Sequence, residues 1–179
     1  MKDRNIIAET IFFLLVMVCG NTLSGTFPAV PENLKTSANE VILLEAQARG
    51  VQIYECRSSI NNLQVFGWVL KAPEAELFDS AGKIVGRHYA GPTWEANDGS
   101  KVVGEVKAQD SNQDPTAIPW LLLKAKTTSG NGVFSRVTSI QRLHTVGGKA
   151  PAEECNPDIA GKEIRMPYEA KYYFYTTKP

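Results

Sequence analysis

The sequence predicts an all-β chain, mainly antiparallel, forming a single β-sandwich or barrel-like domain behind a cleaved signal peptide. Three observations predict it. Short segments rich in β-branched and aromatic residues recur along the chain; glycine, proline, asparagine and aspartate punctuate them at close intervals; and the closing segment alternates strictly. About eight or nine strands fit this spacing, with no domain boundary after the leader.

The elements follow in order. Lys2 and Arg4 precede an apolar run from Ile11 to Cys19, and small residues follow from Gly20 to Gly25. A basic start, a short apolar centre and small residues describe a secretory signal peptide, placed here at residues 1–24, with cleavage after Gly20, Ser24 or Gly25. The run is too short for a membrane span of about 20 residues. Cys19 would suit a lipid anchor, but Val18 before it is bulkier than such a signal wants. The mature domain is then residues 25–179, secreted or periplasmic, with no transmembrane segment. Pro28 and Pro31 bracket an extended lead-in.

Residues 41–47 read two ways. Ser37 with Glu40 makes a capping-box pattern ahead of Val41, which favours a helix ended by Gly50. The same residues suit a strand that turns through Arg49 and Gly50 into the alternating GVQIYECR, and this reading is preferred. Gln64 to Leu70 is apolar on both faces, as in a central covered strand, and Pro73 ends it. Ala75 to Asp79 and Lys83 to Tyr89 form a hairpin about Gly82. Gly91-Pro92 and Asn97-Asp98-Gly99 turn the chain, and Ser100 to Ala108 is a strand. After a polar loop at 109–117, strands run from Ile118 to Lys126 and from Phe134 to Thr145. In the latter, Phe134, Val137, Ile140 and Leu143 recur every three residues, which suggests a bulge. Gly147 to Gly161 is loop. In the last strand Tyr168, Ala170, Tyr172 and Phe174 share one face, and Glu169, Lys171, Tyr173 and Tyr175 the other.

Composition bounds the function. The 179 residues are 43% apolar and 21% charged, ordinary for a globular domain. Nineteen basic residues balance nineteen acidic ones, so no overall field draws in nucleic acid or an anionic membrane. Loss of the leader removes Cys19 and leaves Cys56 and Cys155, which in an exported domain most simply form one disulfide. Neither cysteine has the nearby base or second soft ligand that a reactive or metal-bound thiol needs.

GVQIYEC, the Trp68 segment, HYAGPTWE followed by DGS, IQRLHTVGGKAP with Cys155 soon after, and the terminal PYEAKYYFY together resemble a family of secreted bacterial and fungal proteins catalogued as a domain of unknown function. The resemblance spans roughly residues 28–177 and implies one secreted domain, with no activity or catalytic residue to carry over. Some fungal members carry the label malate dehydrogenase. A nicotinamide-dependent enzyme needs a glycine-rich turn within a βαβ unit. Gly130-Asn131-Gly132 is the nearest glycine cluster and lacks that context, so no cofactor is expected.

The densest polar-aromatic stretch holds His88, Tyr89, Trp94, Glu95, Asp98 and Ser100. Punctuated by glycine and proline, it could line a pocket, with Trp94 partly exposed as a binding aromatic and Tyr173 and Tyr175 next in rank. Trp68 and Trp120, set among leucines and valines, read as core. The leading expectation is non-catalytic binding of a small molecule, glycan or surface partner through residues 88–100. The alternatives are a hydrolytic or metal-assisted enzyme using His88 with Glu95 or Asp98, and a structural component of an envelope or spore surface. His88 and His144 lack metal-ligand spacing and no metal site is expected.

Overall fold

The computed structural model describes residues 27–111 and 113–179. The expected leader at 1–24, with Cys19 and the expected cleavage site, falls outside the described residues. Eight antiparallel strands follow chain order around a closed barrel: β1 (Glu40–Ser58), β2 (Phe66–Phe78), β3 (Ile84–Tyr89), β4 (Thr93–Ala96), β5 (Lys101–Asp110), β6 (Trp120–Ser129), β7 (Ser139–Gly147) and β8 (Glu163–Thr177). Closure comes from β8 pairing back onto β1. The helical turns among the described residues are short 3-10 segments, so these residues contain no βαβ unit of the kind a dinucleotide requires.

Residues 41–47 are strand, as the preferred reading has it, but no turn occurs at Arg49-Gly50. β1 runs through both residues as one strand. A Cβ on Gly50 would stand 2.1 Å from the Glu74 carbonyl oxygen and 2.5 Å from the Ala75 Cα. The glycine therefore serves close approach by β2 and does not turn the chain. The capping-box pattern is locally real without a helix. The Ser37 amide donates to the Glu40 carboxylate at 3.0 Å, and the Glu40 amide to the Ser37 carbonyl at 3.0 Å. Glu40 then starts the strand and accepts from the Thr138 and Ser139 hydroxyls, each at 2.6 Å.

β2 departs from expectation twice. It is not covered on both faces, since Val69 and Leu70 are exposed, and it does not end at Pro73. A barrel has one filled side, so the outer face meets solvent. Pro73 pairs with Gln52, beside an irregularity at Ile53/Tyr54, and pairing of β2 with β3 begins only at Ala75. On that flank Pro73 therefore has no ladder partner to miss its N–H.

Ala48, Leu77, Trp94, Val102, Leu123 and Phe174 are among the buried residues that fill the barrel. The predicted stretch Phe134 to Thr145 is not one bulged strand. Val133–Arg136 is a 3-10 turn, and β7 begins at Ser139. Phe134 on that turn plugs one end of the barrel, its ring 4.6 Å from Phe174. Ile140 faces the interior, whereas Leu143 lies outside in a second cluster with Leu34, Tyr173 and Tyr175. That cluster corrects the expectation of exposed tyrosines. The lead-in folds across them, with the Gln141 side-chain amide donating to the Leu34 carbonyl at 2.6 Å and the Tyr175 hydroxyl to Gln141 at 2.5 Å. Trp120 packs against this outer cluster, and half-buried Trp68 donates from its indole to the Glu153 carbonyl at 2.8 Å. Neither tryptophan belongs to the barrel core.

The expected disulfide is present. Cys56 near the end of β1 bonds Cys155 in the β7–β8 connection, across a sequence separation of 99.

Candidate functional site

Strand alternation divides the stretch that the sequence singled out. On β3 and β4, residues 88 and 94 point inward while 89 and 95 point outward, because successive side chains take opposite faces. His88 and Trp94 are directly paired across the ladder and both are buried. Trp94 is thus not the partly exposed aromatic expected. A Cβ on Gly104 would lie 2.9 Å from the Trp94 ring, so the indole uses space that this glycine leaves on β5.

Outside the wall, Glu95 accepts from the Tyr89 hydroxyl at 2.8 Å and from Arg87 at 3.0 Å, with Lys101 at 3.4 Å. The Tyr89 hydrogen bond and then the Arg87 bond hold the Glu95 carboxyl below its ordinary range. These residues border an outer groove in which Arg165 also pairs with Glu74 at 2.8 Å. Asp98 is elsewhere again, at the plugged end. It accepts from the Ser100 hydroxyl at 2.5 Å and from the Val133 amide at 2.8 Å, and so fixes the turn that carries Phe134. Those bonds, the Ser100 hydroxyl first, lower its carboxyl.

The proposed histidine–carboxylate pairs are therefore not assembled. His88 shares its Nδ1 proton with the Thr93 carbonyl at 2.8 Å, and burial pushes its pKa down to about 3. Its ring is neutral near pH 7, and the described residues include no carboxylate in hydrogen-bond contact with it. His144 is exposed on the outside, edge-on to Trp120 at 5.0 Å, with a positive φ of 49° where β7–β8 pairing skips.

The barrel encloses a different constellation. A cavity of about 470 Å³ lies at the end opposite Phe134 and is bordered by His88, Trp94 and Tyr172 inside the barrel. β3 and β4 have six and four residues, against thirteen in β2 and ten in β5. The short hairpin leaves the wall incomplete above Gly91-Pro92, and there Leu70 and Pro73 of β2 face Val106 and Gln109 of β5 across the opening. Leu121, Leu123 and Ile118 supply further apolar lining.

Three polar side chains that line this space lack partners. Gln52 Nε2, Trp94 Nε1 and the Tyr172 hydroxyl are buried and have no protein hydrogen-bond partner, and neither has the Tyr168 hydroxyl, which lies off the lining. Arg142, from β7, also faces the cavity and spends its Nε and one Nη2 proton on the Pro119 carbonyl, at 3.2 and 2.9 Å. Burial raises the Tyr172 hydroxyl above its ordinary range, so it is a neutral donor. Tyr54 donates to the Gly148 carbonyl at 2.8 Å and so fixes the β7–β8 connection at the rim. Buried polar atoms are nearly always paired, so orphans around one cavity call for a partner within that space, water or ligand.

Sequence reasoning reached His88 and Trp94 but missed Gln52, Arg142 and Tyr172 as a set. Alternation signals their faces one strand at a time, and ring closure alone brings β1, β4, β7 and β8 to one cavity.

The class is thus a closed eight-stranded up-and-down barrel, plugged at one end and hollow at the other, a size of barrel that can hold one small ligand. The chain belongs to the family described as protein of unknown function, DUF3455, whose model matches residues 36–176. No curated protein and no solved structure matches the chain significantly.

Proposed function

We propose that this protein is an exported, non-catalytic binder of a small molecule, held in the barrel cavity. The observation that carries this reading is the convergence of the unpartnered Gln52 Nε2 and Trp94 Nε1 on an opening of about 470 Å³. That volume lies within the usual range of small-molecule sites, and the lining is mainly apolar with few polar groups. Of the residues first singled out, His88 and Trp94 form part of this binding surface. Tyr89 and Glu95 belong to the outer groove, where Arg87 and Lys101 answer the Glu95 carboxylate, and Asp98 supports the plug.

Export rests on the leader pattern and on the Cys56–Cys155 bridge, since such bonds persist in oxidising compartments. No helix among the described residues is long and apolar enough to cross a membrane. Residues 25–179 are read as one mature domain. Hydrolysis by His88 with Glu95 or Asp98 gains no support from a histidine inside the wall and carboxylates outside it or at the far end.

The test is titration with the neutral apolar fluorophore N-phenyl-1-naphthylamine. Saturable one-to-one binding is expected, and Val106→Trp, which fills the opening from an exposed position, should weaken it at least tenfold. Non-saturable binding, or binding indifferent to Val106→Trp, would refute the reading.

A further inference from the structure

We infer that the ligand is a small organic carboxylate with an apolar body, its carboxylate set against Arg142; this deepens the cavity reading and depends on it. Four observations carry it.

First, two of the cavity's unmatched groups are donors alone. Trp94 Nε1 and the Gln52 amide nitrogen can only donate, and the Tyr172 hydroxyl, set among Trp94, Arg142 and Tyr168, can donate or accept. Second, the cavity lining contains two cations, Lys71 and Arg142, and no aspartate or glutamate. Lys71 is occupied by Glu163 and lies 3.6 Å from Glu55. Arg142 makes no ion pair among the described residues. Third, Arg142 keeps three of its five N–H groups after bonding Pro119. A partly buried guanidinium without a counter-charge is unfavourable, and a carboxylate answers it with planar, two-oxygen geometry. Fourth, the walls beyond these donors are apolar, with Leu70, Val106, Ile118, Leu121 and Leu123 around the opening. A bare inorganic anion would leave that surface unfilled, and a neutral apolar molecule would leave the donors unanswered.

The deepest donors and the guanidinium come from four strands, β1, β4, β7 and β8, so their meeting depends on barrel closure. His88 adds no charge to the site, because it is neutral and bonded to Thr93.

The experiment is isothermal titration at pH 7 of the folded protein with two matched pairs, indole-3-acetate against indole-3-acetamide and octanoate against octanamide. Inorganic phosphate serves as a bare anion. At least one acid should bind ten times or more tightly than its amide. Arg142→Gln, its fold checked by circular dichroism, should erase that preference, and Arg142→Lys should restore part of it. If Arg142→Gln fails to fold, Gln52→Leu, which leaves the Arg142–Pro119 bonds in place, should still weaken the acid several-fold.

Equal binding of acid and amide overturns the inference, as does an acid preference that survives Arg142→Gln. Phosphate competing as well as the acids overturns it in favour of a bare-anion site. If the fluorophore binds and no carboxylate does, the cavity reading stands and the carboxylate falls. If the fluorophore fails as well, both fall.

Discussion

The imidazole of His88 lies flat on the indole of Trp94, with ring centroids 4.3 Å apart and planes 10° from parallel. Tyr172 meets both rings edge-on at 5.4 Å. The stack floors the cavity, and its burial disfavours protonation of the imidazole.

A pH dependence follows. The unfolded histidine takes up its proton near 6.5 and the folded one only near 3. Between these values the unfolded chain binds more protons, so this group's contribution is complete above pH 6.5 and is lost as pH falls towards 3. The slope is about 1 kcal/mol per pH unit. His88→Phe keeps a ring on Trp94 and removes the titration. In urea unfolding, the stability of wild type minus that of the variant should fall with pH across this window and stay level above about pH 7.5. A level difference throughout would contradict the buried, neutral imidazole.

Gly104→Ala should destabilise by overpacking. The new Cβ would meet the Trp94 ring at 2.9 Å and Leu123 at 3.0 Å, closer than ordinary van der Waals contact, so one of these side chains must shift. A loss of about 1–3 kcal/mol is expected, with a shift in tryptophan fluorescence as the indole is displaced. Unchanged unfolding and emission would mean that the indole does not use this space.

Removing the Cys56–Cys155 bridge by paired serine substitution should cost about 4–5 kcal/mol, the chain entropy released by opening a loop of this length. In a chain of this size that lowers Tm by roughly 10 °C or more. Reductant should reproduce the shift in wild type and have no effect on the variant. A change within about 2 °C would show that the bridge adds little to the closed barrel.

Leu34→Ala tests the outer cover. Its side chain is fully buried against Leu143, Tyr173 and Tyr175. Truncation should cost about 2–5 kcal/mol, read from chemical unfolding. A loss below about 0.5 kcal/mol would mean that the lead-in rests on the barrel without stabilising it.

The sequence disclosed the fold class because turn chemistry and alternation are local. Asn97-Asp98-Gly99, Gly82 and the Tyr168–Tyr175 alternation all have their expected places. Errors arose where one residue type serves two purposes. Gly50 resembles a turn but makes room for a neighbouring backbone, and Pro73 resembles a stop but sits where its missing N–H has no partner. The three-residue rhythm of Phe134, Val137, Ile140 and Leu143 runs across a 3-10 turn and then onto both faces of β7. Tyr173 and Tyr175 occupy the outer face as their alternation with Tyr172 and Phe174 requires, yet the lead-in buries them. Within the site, Arg142 sits in IQRLHT with the look of a solvated charge. Its inward direction shares the parity of Ile140 and becomes meaningful only when β7 closes against β8.

Because neighbours in sequence occupy opposite sides of one wall, substitutions at 88 and 89, or at 94 and 95, act on separate environments. Contents and shell can then drift independently, with nearly additive effects where the side chains share no partner. A variant library confined to positions 88 and 94 would therefore reshape the lining of the barrel while leaving Tyr89 and Glu95, on the outward face, as the surroundings know them.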